Sequence, residues 1–208
     1  MKNIQKMDLL LALYISAIVC AELLGSKIFT LFGVNASVAI FVFPLTYTIN
    51  DVVVEVYGKT RARSFVKSGF VILLFLFTFT LLATVLPPAS RFKDTNDAYN
   101  QVFNKSQRII IASLIAFWLS ERFDVYLFSK IRQKLGEKKL WLRNNLSNFI
   151  GQFVDTTIFM FLAFYTPGSL GFIISLILPY WSLKCLFSLV ETPFTYLGVR
   201  WLRKGEEI

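Results

Sequence analysis

The sequence predicts an all-α integral membrane protein, a bundle of six transmembrane helices. Three observations carry that expectation. Of the 208 residues, 55% are hydrophobic and 17% charged, with a mean hydropathy of +0.59, whereas ordinary soluble domains carry about a quarter charged residues. The apolar residues, 22 Phe among them, arrive in long blocks rather than alternating with polar positions, which is how spanning helices read. Lys and Arg then crowd into alternate connections between those blocks.

Six spans follow in order, each near the ~20 residues that cross a bilayer. They cover roughly residues 9–24, 36–56, 68–86, 108–128, 146–165 and 170–190. The first begins about Asp8 with no small-residue cleavage site after it, so it reads as a retained helix rather than a signal peptide. The last apolar stretch runs on to Leu202 and contains Pro179 and Pro193, so a kink or strong tilt is expected there. Residues 87–104 form the one long polar connection and read as a solvated loop. Residues 1–208 are expected to form a single domain.

Orientation follows from the basic residues of short loops. With the N-terminus inside, the inner segments hold Lys2, Lys6, Lys59, Arg61, Arg63, Lys67, Lys130, Arg132, Lys134, Lys138, Lys139, Arg143, Arg200, Arg203 and Lys204. The outer segments hold Lys27, Arg91, Lys93, Lys105 and Arg108, and Arg122 and Lys184 lie within spans. Both termini are therefore expected on the cytoplasmic side of a bacterial cytoplasmic membrane. The net charge of +9 would raise nucleic-acid binding in a soluble protein. Here the inner loops explain it, through topology and contact with anionic lipid, and no nucleic-acid partner is expected. Cys20 and Cys185 fall inside apolar spans and His is absent, so neither a disulfide framework nor a metal or cofactor site is expected.

Helix spacing turns the polar residues of the spans into faces. Tyr47, Asp51 and Glu55 follow at i, i+4 and i+8 in the second span, where Asn50 precedes Asp51. Ser113, Ser120, Glu121 and Asp124 share a side of the fourth, and Asn145, Asn148, Gln152 and Asp155 a side of the fifth. The sixth carries Tyr180, Lys184, Ser188 and Glu191, and the first Glu22 and Ser26. Pointed at lipid, these groups would lack partners, so one shared interior cavity is the simplest expectation. Asn and Gln often bridge helices as packing contacts worth about a kcal/mol or less, and that reading is preferred for Asn145 and Ser113. For Asp155 and Lys184 a functional reading is preferred, because ionisable residues so deep in a span are rare without one. Lys184 is expected to be balanced by Asp155, Asp51 or Glu191. Spans 2 and 5 are each the middle helix of a three-helix set, which fits two three-helix halves inserted with opposite topology.

Motifs then carry a family resemblance. Phe43-Pro44, Asp51, Glu55-Val56-Tyr57-Gly58 and Ala62-Arg63 resemble the signature of the queuosine precursor transporters, also called the vitamin uptake transporter family. So do Ala112-Ser113, Asp124-Val125, Phe128, Ser147, Gln152, Asp155-Thr156, Phe159, Lys184 and Thr192-Pro193. The resemblance covers about residues 22–196. It implies six spans and uptake of a 7-deazaguanine, chiefly 7-cyano-7-deazaguanine, for making the modified tRNA nucleoside queuosine. Two positions depart from the pattern: Glu22 stands where Asn is usual and Glu121 where Gln is common.

The chemistry of such a solute suits the residues. A deazaguanine presents adjacent N–H donors beside a carbonyl acceptor, and a carboxylate accepts from two donors while an amide or Lys donates to the carbonyl. Asp155 or Asp51 is expected to read the donor edge and Gln152, Asn148 or Lys184 the carbonyl. Trp118, Trp181 or a Phe would stack on the ring, although each Trp alone reads more readily as packing. Glu55 and Asp124 complete the candidate set, with Glu55 near enough to the interface to pair instead with inner arginines. A stand-alone transporter is preferred over the membrane subunit of an energy-coupling-factor complex, for which Ala17-x-x-x-Ala21 offers a small-residue docking face. Without His, metal-ligand cluster or nucleophile motif, an enzyme is not expected. A homo-oligomer is compatible with the sequence, which carries no signal for subunit number.

Overall fold

The computed structural model describes residues 3–135, 140–190 and 192–204; within these, the side chains at 3, 59, 121, 122, 124–135, 140–148, 188, 189 and 192 lie outside the described set. Helix α1 (Asn3–Leu24) is followed by strands β1 (Ile28–Leu31) and β2 (Val34–Ser37). Long helices α2 (Phe43–Val85) and α3 (Lys93–Leu135) come next, then α4 (Leu140–Phe164), α5 (Leu170–Val190) and α6 (Thr192–Arg203).

The hairpin is a departure from the all-α expectation. Ile28, Phe29 and Thr30 are the β-branched and aromatic types that favour strands. Phe32 and Gly33 between the strands both have positive φ, 52° and 77°, the signs that a two-residue hairpin turn requires. Ser37 then caps a short 3-10 turn (Val38–Phe41), accepting from the Ala39 amide at 3.2 Å while its hydroxyl donates to the Gly25 carbonyl at 2.7 Å.

Pro44 sits in the first turn of α2, where its missing N–H costs nothing. The helix is interrupted at Gly58, whose φ of 78° and ψ of 172° lie outside the helical region and are open almost only to glycine. That break separates two membrane-length apolar runs, Val38–Gly58 and Thr60–Val85. With Ile4–Leu24 and Leu170–Phe187 they make four runs long and apolar enough to cross a bilayer among the described residues, and Phe149–Phe164 is a shorter one. The expected span at 108–128 lies on α3.

A further expectation is corrected. Most of the loop expected at 87–104 is helical, because a 3-10 turn (Ser90–Phe92) leads into α3 at Lys93. Asp94 in the first turn suits the helix dipole, and Tyr99 and Phe103, one turn apart, pack with ring centroids at 4.5 Å. The long apolar stretch toward Leu202 resolves into two helices, α5 and α6, with Pro193 in the first turn of α6 and Pro179 inside α5.

The chain divides into two compact units. The first comprises Met1–Phe29, Ser37–Gln107 and Leu186–Ile208. In its core, Met7 and Tyr14 of α1 pack on Ile49 and Val53 before the Gly58 break and on Ala62 and Phe65 after it. Helix α6 lies so close to α2 that a Cβ on Gly198 would stand 2.7 Å from Val52 Cγ2. Lys6 is buried, and its ammonium donates to the Trp201 carbonyl at 2.7 Å and the Leu202 carbonyl at 3.3 Å. A cation there satisfies carbonyls that the last turn of α6 leaves open and complements its dipole.

The second unit comprises Thr30–Ala36 and Arg108–Cys185. Ile109 and Ala112 of α3 pack with Ala163, Phe159 and Phe164 of α4. Arg108 donates to the Leu162 carbonyl at 2.9 Å and to the Tyr165 carbonyl, closing the end of α4 as Lys6 closes α6.

Candidate functional site

Two groupings of polar side chains stand out, one within each unit. In the second unit, Gln152 and Asp155 share a face of α4, and Tyr180 and Lys184 a face of α5, because three- and four-residue spacings stack on one side of a helix. Lys184 Nζ donates to Asp155 Oδ2 at 3.0 Å. Ser120 of α3 donates to Asp155 Oδ1 at 3.2 Å, so each oxygen of the carboxylate has a donor. The Lys184 side chain is 8% exposed and that of Asp155 33%. Lys184 Nζ also lies 6.0 Å from the Tyr180 ring centroid. Beside the pair, the Cys185 thiol contacts Gln152 Oε1 at 3.7 Å. Trp181 donates through Nε1 to the Phe149 carbonyl at 3.1 Å and meets Phe153 edge to face. Asp155, one of the carboxylates that the sequence offered to Lys184, is 3.0 Å from it, while Glu191 lies outside the described residues.

In the first unit, a cavity of about 450 Å³ opens between α2 and α6. Asp51, Val54 and Glu55 line it from α2, and Thr195, Tyr196, Val199 and Arg203 from α6. The α6 residues Thr195, Val199 and Arg203 recur every four positions, as Asp51 and Glu55 do on α2, so each helix turns one stripe to the slot. Arg203 Nη2 is 3.7 Å from Glu55 Oε1, an ion pair longer than a hydrogen bond. Lys6 acts on the turn of α6 that ends at Arg203 and so fixes one wall of this cavity.

The sequence candidates are thus distributed unevenly. Asp51 and Glu55 line the cavity; Gln152, Asp155, Trp181 and Lys184 gather in the second unit. Trp118 is exposed on α3. The side chains of Asp124 and Asn148, like those of Glu121, Asn145, Ser188 and Glu191, lie outside the described residues. Sequence reasoning missed Thr195, Tyr196 and Val199, because residues 191–202 read as the tail of an apolar span, and read Arg203 only as one of the inner basic residues. The available signal was the four-residue recurrence from Thr195 to Arg203. Among the described residues, no group of three or more His, Cys, Asp or Glu side chains is placed to hold a metal ion.

Comparison with known proteins adds to this geometry. Residues 37–198 match the family described as "Putative vitamin uptake transporter". The chain is 32% identical over 193 residues to the "Probable queuosine precursor transporter" of Bacillus subtilis (strain 168), covering 91% of this chain and 83% of that protein. It is 27% identical over 137 residues to the Haemophilus influenzae protein of the same name, covering 64% of this chain and 54% of that one. The "Queuosine precursor transporter" of Escherichia coli (strain K12) is 26% identical over 136 residues, 65% of this chain and 58% of that protein. No solved structure matches the chain.

Proposed function

The chain belongs to the vitamin uptake transporter family, and on that premise we propose that it carries a queuosine precursor into the cytoplasm as a stand-alone transporter. The preferred solute in this reading is 7-cyano-7-deazaguanine or a closely related 7-deazaguanine. The single observation that best supports a polar solute is the Asp155–Lys184 pair, 3.0 Å apart on helices α4 and α5. Ionisable groups on apolar helices are costly and usually serve a solute or proton pathway. The pair offers a carboxylate for N–H donors and an ammonium for a ring carbonyl, with Gln152 and the Trp181 ring alongside. Asn148 on α4, and Asp124 and Trp118 on α3, remain members of the proposed site. Both termini face the cytoplasm in this reading, as the Lys and Arg distribution argues.

A substrate-capturing subunit of an energy-coupling complex is the alternative. The Ala17 and Ala21 face that would dock a coupling partner is buried within the first unit, which favours the stand-alone reading. The deciding experiment is accumulation of labelled 7-cyano-7-deazaguanine by cells that cannot synthesise it and lack coupling subunits. Expression of this gene alone is expected to restore accumulation and queuosine in tRNA. No accumulation in membranes that contain the folded protein would refute the proposal.

A further inference from the structure

We propose that the β1–β2 hairpin is a membrane anchor, whose apolar face and Phe32 tip sit among lipid head groups and upper acyl chains at the interface where α1 ends. The partner is the lipid surface itself, and the residues that meet it are Leu31, Phe32 and Val34. This surface lies outside both polar groupings and is independent of which solute is carried.

Register gives the hairpin two unlike faces. With Phe32 and Gly33 forming the turn, Leu31 stands opposite Val34, Thr30 opposite Asn35 and Phe29 opposite Ala36, and successive pairs alternate between faces. Phe29, Leu31, Val34 and Ala36 therefore share one face, which is wholly apolar. Thr30 and Asn35 lie on the other, and that face is occupied. Thr30 donates to Asn35 Oδ1 at 2.7 Å, and Asn35 donates through Nδ2 to Ser175 Oγ of α5 at 3.4 Å. On the apolar face Phe29 stacks on Phe41 with ring centroids at 5.5 Å. Toward the turn, Leu31 and Val34 are exposed.

At the tip, Phe32 is 96% exposed with a φ of 52°, a backbone region where a bulky residue is an outlier and Gly or Asn is ordinary. A large aromatic ring held in strained backbone and turned away from the protein is unfavourable on both counts in water. A bilayer interface removes the second cost. Placement along the chain puts the hairpin at that level. It fills the interval between the apolar runs Ile4–Leu24 and Val38–Gly58, and its base is tied to the end of α1 by the Val38 amide, which donates to the Lys27 carbonyl at 3.0 Å. Four-residue strands reach only about 13 Å from that base. Asn35 meets Ser175 inside the apolar run Leu170–Phe187. No charged residue occurs between Lys27 and Asp51, so no charge in the hairpin opposes contact with lipid, and Lys27 at its foot suits the head-group layer. The edges of a two-stranded sheet cannot enter the hydrocarbon. The strands therefore stay at head-group depth, where water reaches their N–H and C=O groups, and the apolar side chains project deeper.

The test uses the full-length protein carrying Cys20→Ser and Cys185→Ser, one copy per lipid nanodisc, with a single cysteine introduced at a chosen position. Val34→Cys, which leaves Phe32 in place, is compared with two references. Val71→Cys is exposed on the apolar run Thr60–Val85, and Asp97→Cys is exposed on the polar start of α3. With a bimane label, lipids brominated along the acyl chain are expected to quench positions 34 and 71 but not 97. Unlabelled, Val34→Cys is expected to react with a charged methanethiosulfonate about 10-fold or more slowly than Asp97→Cys, because desolvation suppresses the attacking thiolate. Adding Phe32→Asp, which tolerates the left-handed turn better than Phe, is expected to bring the rate at 34 up to that at 97. Quenching at 34 no greater than at 97 overturns the anchor. Slow reaction without quenching means that protein rather than lipid covers the face, and overturns it equally. An unchanged slow rate after Phe32→Asp removes Phe32 from the anchor and refutes the assignment of the tip. If Val34→Cys does not fold, Leu31→Cys, its neighbour across the same face, is read in the same way.

Discussion

Replacing Lys184 by Met removes the ammonium that faces Asp155 while keeping most of the apolar stem. The gross attraction of two unit charges 3.0 Å apart is about 5 kcal/mol at an effective dielectric of 20. Most of that offsets desolvation, so the relevant quantity is the cost of leaving one partner behind, about 3–5 kcal/mol for a fully buried pair. Lys184 is 8% exposed but Asp155 is 33% exposed, and its Oδ1 keeps the Ser120 donor. Solvent and that hydrogen bond reduce the expected loss to about 2 kcal/mol. Unfolding of the detergent-solubilised protein by denaturant reads this directly. The variant Asp155→Asn combined with Lys184→Met leaves neither charge of this pair facing a neutral partner and is expected to regain at least half of the loss. Additive losses in the double variant would refute the claim that the two side chains stabilise each other. Uptake by the double variant then separates architecture from function: wild-type uptake would refute a role for the pair in handling the solute.

Three other expectations follow from particular contacts. Gly198→Ala places a Cβ 2.7 Å from Val52 Cγ2 and is expected to cost about 1–3 kcal/mol by overpacking; Val52→Ala in the same chain should restore thermal stability, and a lack of rescue would argue against a direct clash. Lys6→Met removes two hydrogen bonds to the α6 carbonyls and is expected to cost about 2 kcal/mol, seen as faster amide exchange in α6 with α4 unchanged. Alkaline phosphatase fused after Asp97 is expected to be active and after Leu135 inactive, because the basic residues beyond Lys130 mark the cytoplasmic side; the reverse pattern would overturn the orientation.

Much of the membrane organisation is legible in one dimension. Block hydropathy marks α1, both halves of α2 and α5, and the polar stripes pick out Asp51 with Glu55 on one helix and Gln152 with Asp155 on another. The hairpin was hidden because four-residue strands inside a hydrophobic protein differ little in composition from a helix end, and its turn depends on the positive φ of Phe32. The helical start of α3 was hidden because polarity suggested a loop, whereas the Tyr99–Phe103 contact and the first-turn Asp94 favour a helix. The sixth expected span, 170–190, coincides with α5, but hydropathy did not mark α6 as a helix of its own, since Leu197 and Trp201 prolong the apolar run beyond it.

By itself the sequence determined that this is a multi-helix membrane protein with carboxylates, amides and a lysine at helical spacing, and its motifs pointed to the family. Length, hydropathy and periodicity are local properties, so they survive without knowledge of the fold. The tertiary structure decided which partners those side chains meet. It set Lys184 against Asp155, brought Ser120 to the same carboxylate, and put Arg203 opposite Glu55. Such choices depend on the rotation and register of helices distant in sequence. A shift of one residue turns a helix by about 100°, which preserves its composition and periodicity but moves every side chain to a different neighbour.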